Sequence, residues 1–156
     1  MGIARSARHS PMSNPASLVV NNQAAPNPIR ETLFGDMPLE SWPTGGETTD
    51  GMPWSDFVSA RVLLKSGKQS AAMAQWHHIL EQPGLEPRHY LQAWHFLRQH
   101  GQHPAPDIAK QVLGVVVEVA MPEGLDLLAA YTDYSARYHN YSGAGVVWEQ
   151  IGRAHV

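Results

Sequence analysis

Seven of the chain's 12 prolines fall before residue 54, and from Trp54 onward apolar residues recur at helical spacing instead. That break constrains the fold most, because proline fixes φ and removes a backbone donor, so a stretch this rich in it cannot carry continuous helix or sheet ladders. Residues 1–53 also hold five glycines and the turn or linker signals Asn21-Asn22, Thr44-Gly45-Gly46 and Asp50-Gly51. Alone they bury too little to offset the entropy of ordering, which predicts a mostly disordered arm. Segment 29–42 differs. Ile29, Leu33, Phe34, Met37, Leu39 and Trp42 sit among linker residues, and we expect them to strap the arm onto the domain in preference to serving as a linear motif for a partner's groove.

Beyond Trp54 the periodicity predicts an α+β domain over residues 54–149. Phe57, Ala60, Leu63 and Leu64 mark a first helix at about 55–66, which Ser55 can cap and Gly67 can close. A second begins at Ser70, carries Ala72, Met73, Trp76, Ile79 and Leu80, and ends at Gln82-Pro83-Gly84. Pro87 suits the first turn of a third, with Tyr90, Leu91, Ala93, Trp94 and Leu97 before Gly101, and a short fourth spans Pro106 to Leu113. Short connections make these helices antiparallel neighbours. After Gly114 the pattern becomes strand-like over Val115–Met121, Leu125–Thr132, Ser135–Tyr141 and Gly145–Glu149. The expected architecture is therefore about four short antiparallel helices followed by a four-stranded antiparallel β-meander, one face of which packs on the helices. The register at Asp133-Tyr134-Ser135 stays open, and a slip of one residue would exchange the faces of Tyr138 and His139.

Both termini invite separate readings. Ile151-Gly152-Arg153-Ala154-His155-Val156 is what the adapter-like codons ATC-GGA-AGA-GCA-CAC-GTC encode, and Gln150 fits the AG that precedes them. Residues 150–156 are accordingly expected to be a non-native tail, and the chain to be truncated at its C-terminus. Met12 is a plausible alternative start. Setting aside residues 1–11 and 151–156 removes Arg5, Arg8 and Arg153 and no acid, so 11 Lys+Arg become 8 against 14 Asp+Glu and the net charge moves from −3 to −6.

That balance argues against nucleic acid or an anionic membrane as a partner. The absence of cysteine excludes disulfides, thiolate zinc sites and cysteine nucleophiles. The longest apolar run, Val115-Val116-Val117, is far shorter than a membrane span, and Ser17-Leu18-Val19-Val20 is too short for a signal-peptide core, so a cytoplasmic address is expected.

Candidate chemistry is sparse. Among nine histidines, His89, His95 and His100 have the wrong spacing to share a helix face, and only His100 and His103 with Asp107 could close around an ion; no metal or cofactor is expected. Glu118, Asp126, Asp133 and His139 fall on neighbouring strands, where proximity is common without catalysis. There is no nucleophile elbow, and Ser135 and Ser142 read as turn residues. Trp76 and Trp94 are expected in the core. Tyr131, Tyr134, Tyr138 and Tyr141 crowd one hairpin with Arg137 and His139. These six residues are the candidate site: if the rings face outward, they form a surface for a protein or peptide partner.

Leu63, Gly67, Ala72-x-x-x-Trp76 and Pro83 resemble a loose tetratricopeptide helix pair, present once, with Asp56 and Ser59 where that repeat carries large apolar residues. More broadly, the runs Arg88–Arg98, Ile108–Gly114 and Tyr138–Glu149 resemble a family of uncharacterised bacterial proteins, over roughly Pro28 to Glu149. That resemblance implies a truncated cytoplasmic bacterial protein and carries no catalytic motif. The function expected is a non-enzymatic protein-interaction or scaffold module. The alternative is the N-terminal part of a hydrolase-like enzyme whose main catalytic residues lie beyond this chain, drawing on His100, His103 or His139.

Overall fold

The computed structural model describes residues 28–43 and 51–149. The arm expected at 1–27 and 44–50 and the tail expected at 150–156 lie outside the described residues. Five helices precede four strands: α1 Pro28–Phe34, α2 Trp54–Lys65, α3 Gln69–Leu80, α4 Pro87–Gln99 and α5 Pro106–Ala109, then β1 Gly114–Met121, β2 Gly124–Tyr131, β3 Ala136–His139 and β4 Gly145–Trp148. The strands form one antiparallel sheet in the order β1-β2-β3-β4, so the α+β class with a C-terminal meander is present as expected.

Helices α2, α3 and α4 pack on their apolar stripes. Their cluster contains Phe57, Ala60, Ala72, Trp76, Ile79, Ala93, Phe96 and Leu97, with Trp76 and Phe96 rings 5.4 Å apart and Phe57 edge-on to Phe96 at 6.3 Å. Trp94 is only partly buried at its margin. Two of these helices end alike: Lys68 N–H donates to Leu63 O and Gly67 N–H to Leu64 O, while Gln102 N–H donates to Leu97 O and Gly101 N–H to Arg98 O. Each pair is the 6→1 and 5→2 closure that satisfies a helix's last carbonyls.

The expected fourth helix is much shorter than Pro106 to Leu113, stopping at Ala109. Ile108 is half-buried and Val112 is exposed, so no buried stripe supports further turns. So short a helix depends on packing for its stability.

Segment 28–43 packs into two cores. Leu33 of α1 packs with Leu127, Ala129 and Tyr131 of the sheet, flanked by Ile29 and Val116, whereas Met37 and Trp42 enter the helical cluster. One short stretch thus belongs to both cores and joins the sheet to the helices. The crossing is tight at Gly35, which lies at φ +64° beneath α4. A Cβ there would stand 2.7 Å from Arg88 O and from Leu91 Cβ, so both the backbone conformation and the space call for glycine. Opposite it, the buried amide of Gln92 accepts from Met37 N–H at 2.9 Å and donates to Met37 O at 2.9 Å. That one side chain serves both backbone groups of a residue that has no ladder partner.

Candidate functional site

Two turns fix the register that the sequence left open. At the β2–β3 turn Asp133 Oδ1 accepts from Ser135 N–H at 2.9 Å and from Ser135 Oγ at 2.7 Å, with Tyr134 at φ 68°. At the β3–β4 turn Asn140 Oδ1 accepts from Ser142 N–H, Ser142 Oγ and Ala144 N–H. Short polar side chains folding back onto their own backbone pin such turns. The resulting ladder pairs Leu127 with His139, Leu128 with Tyr138 and Ala129 with Arg137.

Because side chains alternate along a strand and paired residues share a face, this register divides the six candidate residues. Tyr131, Arg137 and His139 lie on the inner face with Leu127 and Ala129, while Tyr138 lies on the outer face with Leu128. Tyr134 and Tyr141 are exposed in the turns. The tyrosines therefore do not form one patch.

On the inner side Tyr131 is buried and its hydroxyl donates to Leu33 O at 2.8 Å. Burial pushes its ionisation up to about 12, partly opposed by the charges of Arg137 and Arg88. Arg137 Nη2 donates to Glu86 Oε2 at 3.0 Å, and Arg88 Nε reaches the same oxygen at 2.8 Å. Burial pushes the Glu86 carboxyl up, but the charge and hydrogen bond of Arg88, with His89 and Arg137 adding to them, hold it below the ordinary range. His139 is held below its usual value by burial and by Arg137, and its Nδ1 is buried without a hydrogen-bond partner. A cleft of about 230 Å³ opens beside this ion pair, lined by Glu86, Asp133, Ser135, Arg137, Val147 and Glu149. Glu86 already serves two guanidinium groups there, and His139 is not among the lining residues.

The outer side has another character. Val115, Val117, Val119 and Met121 of β1, Leu128 of β2 and Val146 and Trp148 of β4 are all exposed, and the ladders place them on the face that carries Tyr138. Val117 is 46% exposed, Leu128 44% and Trp148 42%. Asp126 is the one charged residue at an outward strand position among the described residues. Its Oδ2 accepts from the Tyr138 hydroxyl at 2.7 Å and its Oδ1 from Tyr141 N–H at 2.9 Å. The first of these bonds raises the Tyr138 ionisation above its ordinary value.

Sequence patterning picks out Tyr138 but misses the apolar residues around it. The signal was present, since Val115-Val116-Val117 and Val146-Val147-Trp148 are apolar at consecutive positions. An antiparallel strand with one wet face alternates instead.

The histidines of the enzyme alternative sit apart. His100 stacks on Trp76 at 5.5 Å at the end of α4, His103 is exposed after it, and His139 lies on β3. Among the described residues no three His, Asp or Glu side chains gather as a metal site would require, and no helix is long and apolar enough to cross a membrane. No family model, curated protein or solved structure matches the chain.

Proposed function

We propose that this chain is a protein-interaction module and that the outer face of its sheet is the surface that binds. One observation carries the reading: exposed valines, Leu128 and Trp148 surround a half-buried Tyr138 on one contiguous sheet face, whose single carboxylate already accepts from Tyr138 and Tyr141. Patches of a few hundred Å² of this kind mark interaction sites, and Tyr and Trp are the residue types that dominate binding energy at interface centres. Inward, by contrast, the sheet commits Tyr131 and Arg137 to holding the fold together.

A photoreactive phenylalanine analogue at position 138 tests this. Irradiation in cells should give a discrete protein adduct, and the same analogue at exposed Lys68 should not. If position 138 yields no protein adduct, the reading fails.

A further inference from the structure

We infer that the partner seated on the outer sheet face is a second copy of this chain, packed face to face about a two-fold axis that runs along the strands between β2 and β3. The inference rests on the reading that this face is the interaction surface, and it adds the occupant. Three observations support it.

The first is the pattern of side-chain size. The central outward row reads Val117, Leu128, Tyr138, Val146 across β1 to β4. A two-fold axis in the interface places β1 over the copy's β4 and β2 over its β3, so this row meets itself reversed. Val117 then faces Val146, and Leu128 faces Tyr138, in both directions. The next row reads Val115, Ala130, Ala136, Trp148. Each Trp148 there meets the copy's Val115, while Ala130 meets Ala136, so the largest side chain of this row opposes a smaller one and the two smallest oppose each other. Sheets that pack in this way keep their strands within about 30° of each other, which preserves these pairings near the centre.

Charge is the second. The chain carries a net −3, so a partner attracted by charge would be expected to meet a face lined with acids. This face presents one, and both its oxygens accept hydrogen bonds from the protein itself. An identical copy adds one further carboxylate, and each Asp126 lies past the end of the β3 ladder, at the margin of the paired rows, where it can keep its water together with its two hydrogen bonds.

Area is the third. Two strands of eight residues and two of four, at about 3.3 Å per residue and about 4.8 Å between strands, give a face of roughly 400 Å² in plan. Two such faces, with the relief of their side chains, reach roughly the 1,000–1,200 Å² at the low end of specific interfaces. That size fits a reversible dimer of micromolar affinity, formed and broken as concentration changes.

Sedimentation equilibrium of the full 156-residue chain, from about 1 to 500 μM to bracket micromolar affinity, reads this directly. The mass should rise from 17.2 kDa towards twice that value, with the association strengthened by added salt as like net charges are screened. Leu128→Asp should weaken the dimer at least about a hundred-fold, since the substitution acts twice in a symmetric contact. Because the geometry sets Val117 against Val146, Val117→Lys and Val146→Glu should each be monomeric alone and form a mixed dimer when combined. Circular dichroism verifies folding of every variant.

A wild-type chain that stays monomeric throughout overturns the inference. If position 138 then still crosslinks to a different protein, the interaction reading survives without it. A dimer indifferent to Leu128→Asp and to the charge pair means that the copies meet elsewhere, and overturns the inference. Position 138 crosslinking to the chain's own residues 12–27 would overturn both, because the face would then be covered from within.

Discussion

The hydroxyl of Tyr131 donates to the backbone carbonyl of Leu33 at 2.8 Å, bridging 98 residues of sequence. Leu33 is the penultimate residue of α1, so its carbonyl is one of those that a helix cannot satisfy internally. The last carbonyls of α1 thus gain a donor from β2, and the sheet gains a fixed seat on the helix. Tyr131→Phe keeps the ring and removes only this donor. It should cost about 1–2 kcal/mol in urea unfolding, with the far-ultraviolet spectrum unchanged. A loss under about 0.3 kcal/mol would show that the carbonyl is satisfied in another way, since deleting a buried partner normally costs more.

Gln92 should matter more than Tyr131. Its amide reaches both the N–H and the C=O of Met37, and the side chain is fully buried. Gln92→Leu strands two buried backbone groups and should destabilise by about 2–4 kcal/mol. Gln92→Glu should also destabilise, because a carboxylate can accept from Met37 N–H but offers no donor to Met37 O. Chemical denaturation of the two variants checks both directions.

His89 sets the chain's response to acid. Its ring is buried to 3% exposure, 4.5 Å from Trp54 and 6.0 Å from Trp42, and neither ring nitrogen has a hydrogen-bond partner. Burial, then the charge of Arg88, lowers its proton affinity from 6.5 to about 3, with Glu86 opposing. Between those values the unfolded chain binds a proton that the folded chain refuses. Stability is therefore unaffected above about pH 6.5 and falls as the pH drops towards 3, by up to about 1.4 kcal/mol per pH unit. His89→Phe cannot be protonated, so its advantage over the wild type should grow steadily from pH 6.5 to pH 4.5. Parallel stability curves over that range would exclude His89 as the cause.

The helices and strands were legible because each advertises its period: Trp76, Ala93 and Leu97 lie on stripes that only burial explains, and Gly67 and Gly101 close the helices as their positions predict. In α4, however, the buried ring is Phe96, outside the stripe read from the sequence, while Trp94 is only partly buried. Segment 28–43 was harder to read. Leu33 and Met37 look alike in sequence, yet one serves the sheet and the other the helices, and no local pattern encodes which core a residue joins. For the candidate site the obstacle was parity. Tyr138 and His139 are adjacent, and the side each faces is decided at the β2–β3 turn by Asp133 gripping Ser135, which composition alone does not specify.

Parity also gives the sharpest test of the sheet. Leu127 is 1% exposed and Leu128 is 44% exposed, although they are neighbours on one strand. Leu127 packs against Leu33 and Ala129, so Leu127→Asp buries a carboxylate with no partner and should cost more than about 4 kcal/mol, enough to unfold the domain. Leu128→Asp places the same carboxylate at the water-facing surface, where it should change monomer stability by less than about 0.5 kcal/mol while removing binding at the face. Thermal melts at low micromolar concentration separate the two outcomes. Equal damage from both would mean that the strand does not hold this register, and Tyr138 would lose its place on the outer face together with Leu128.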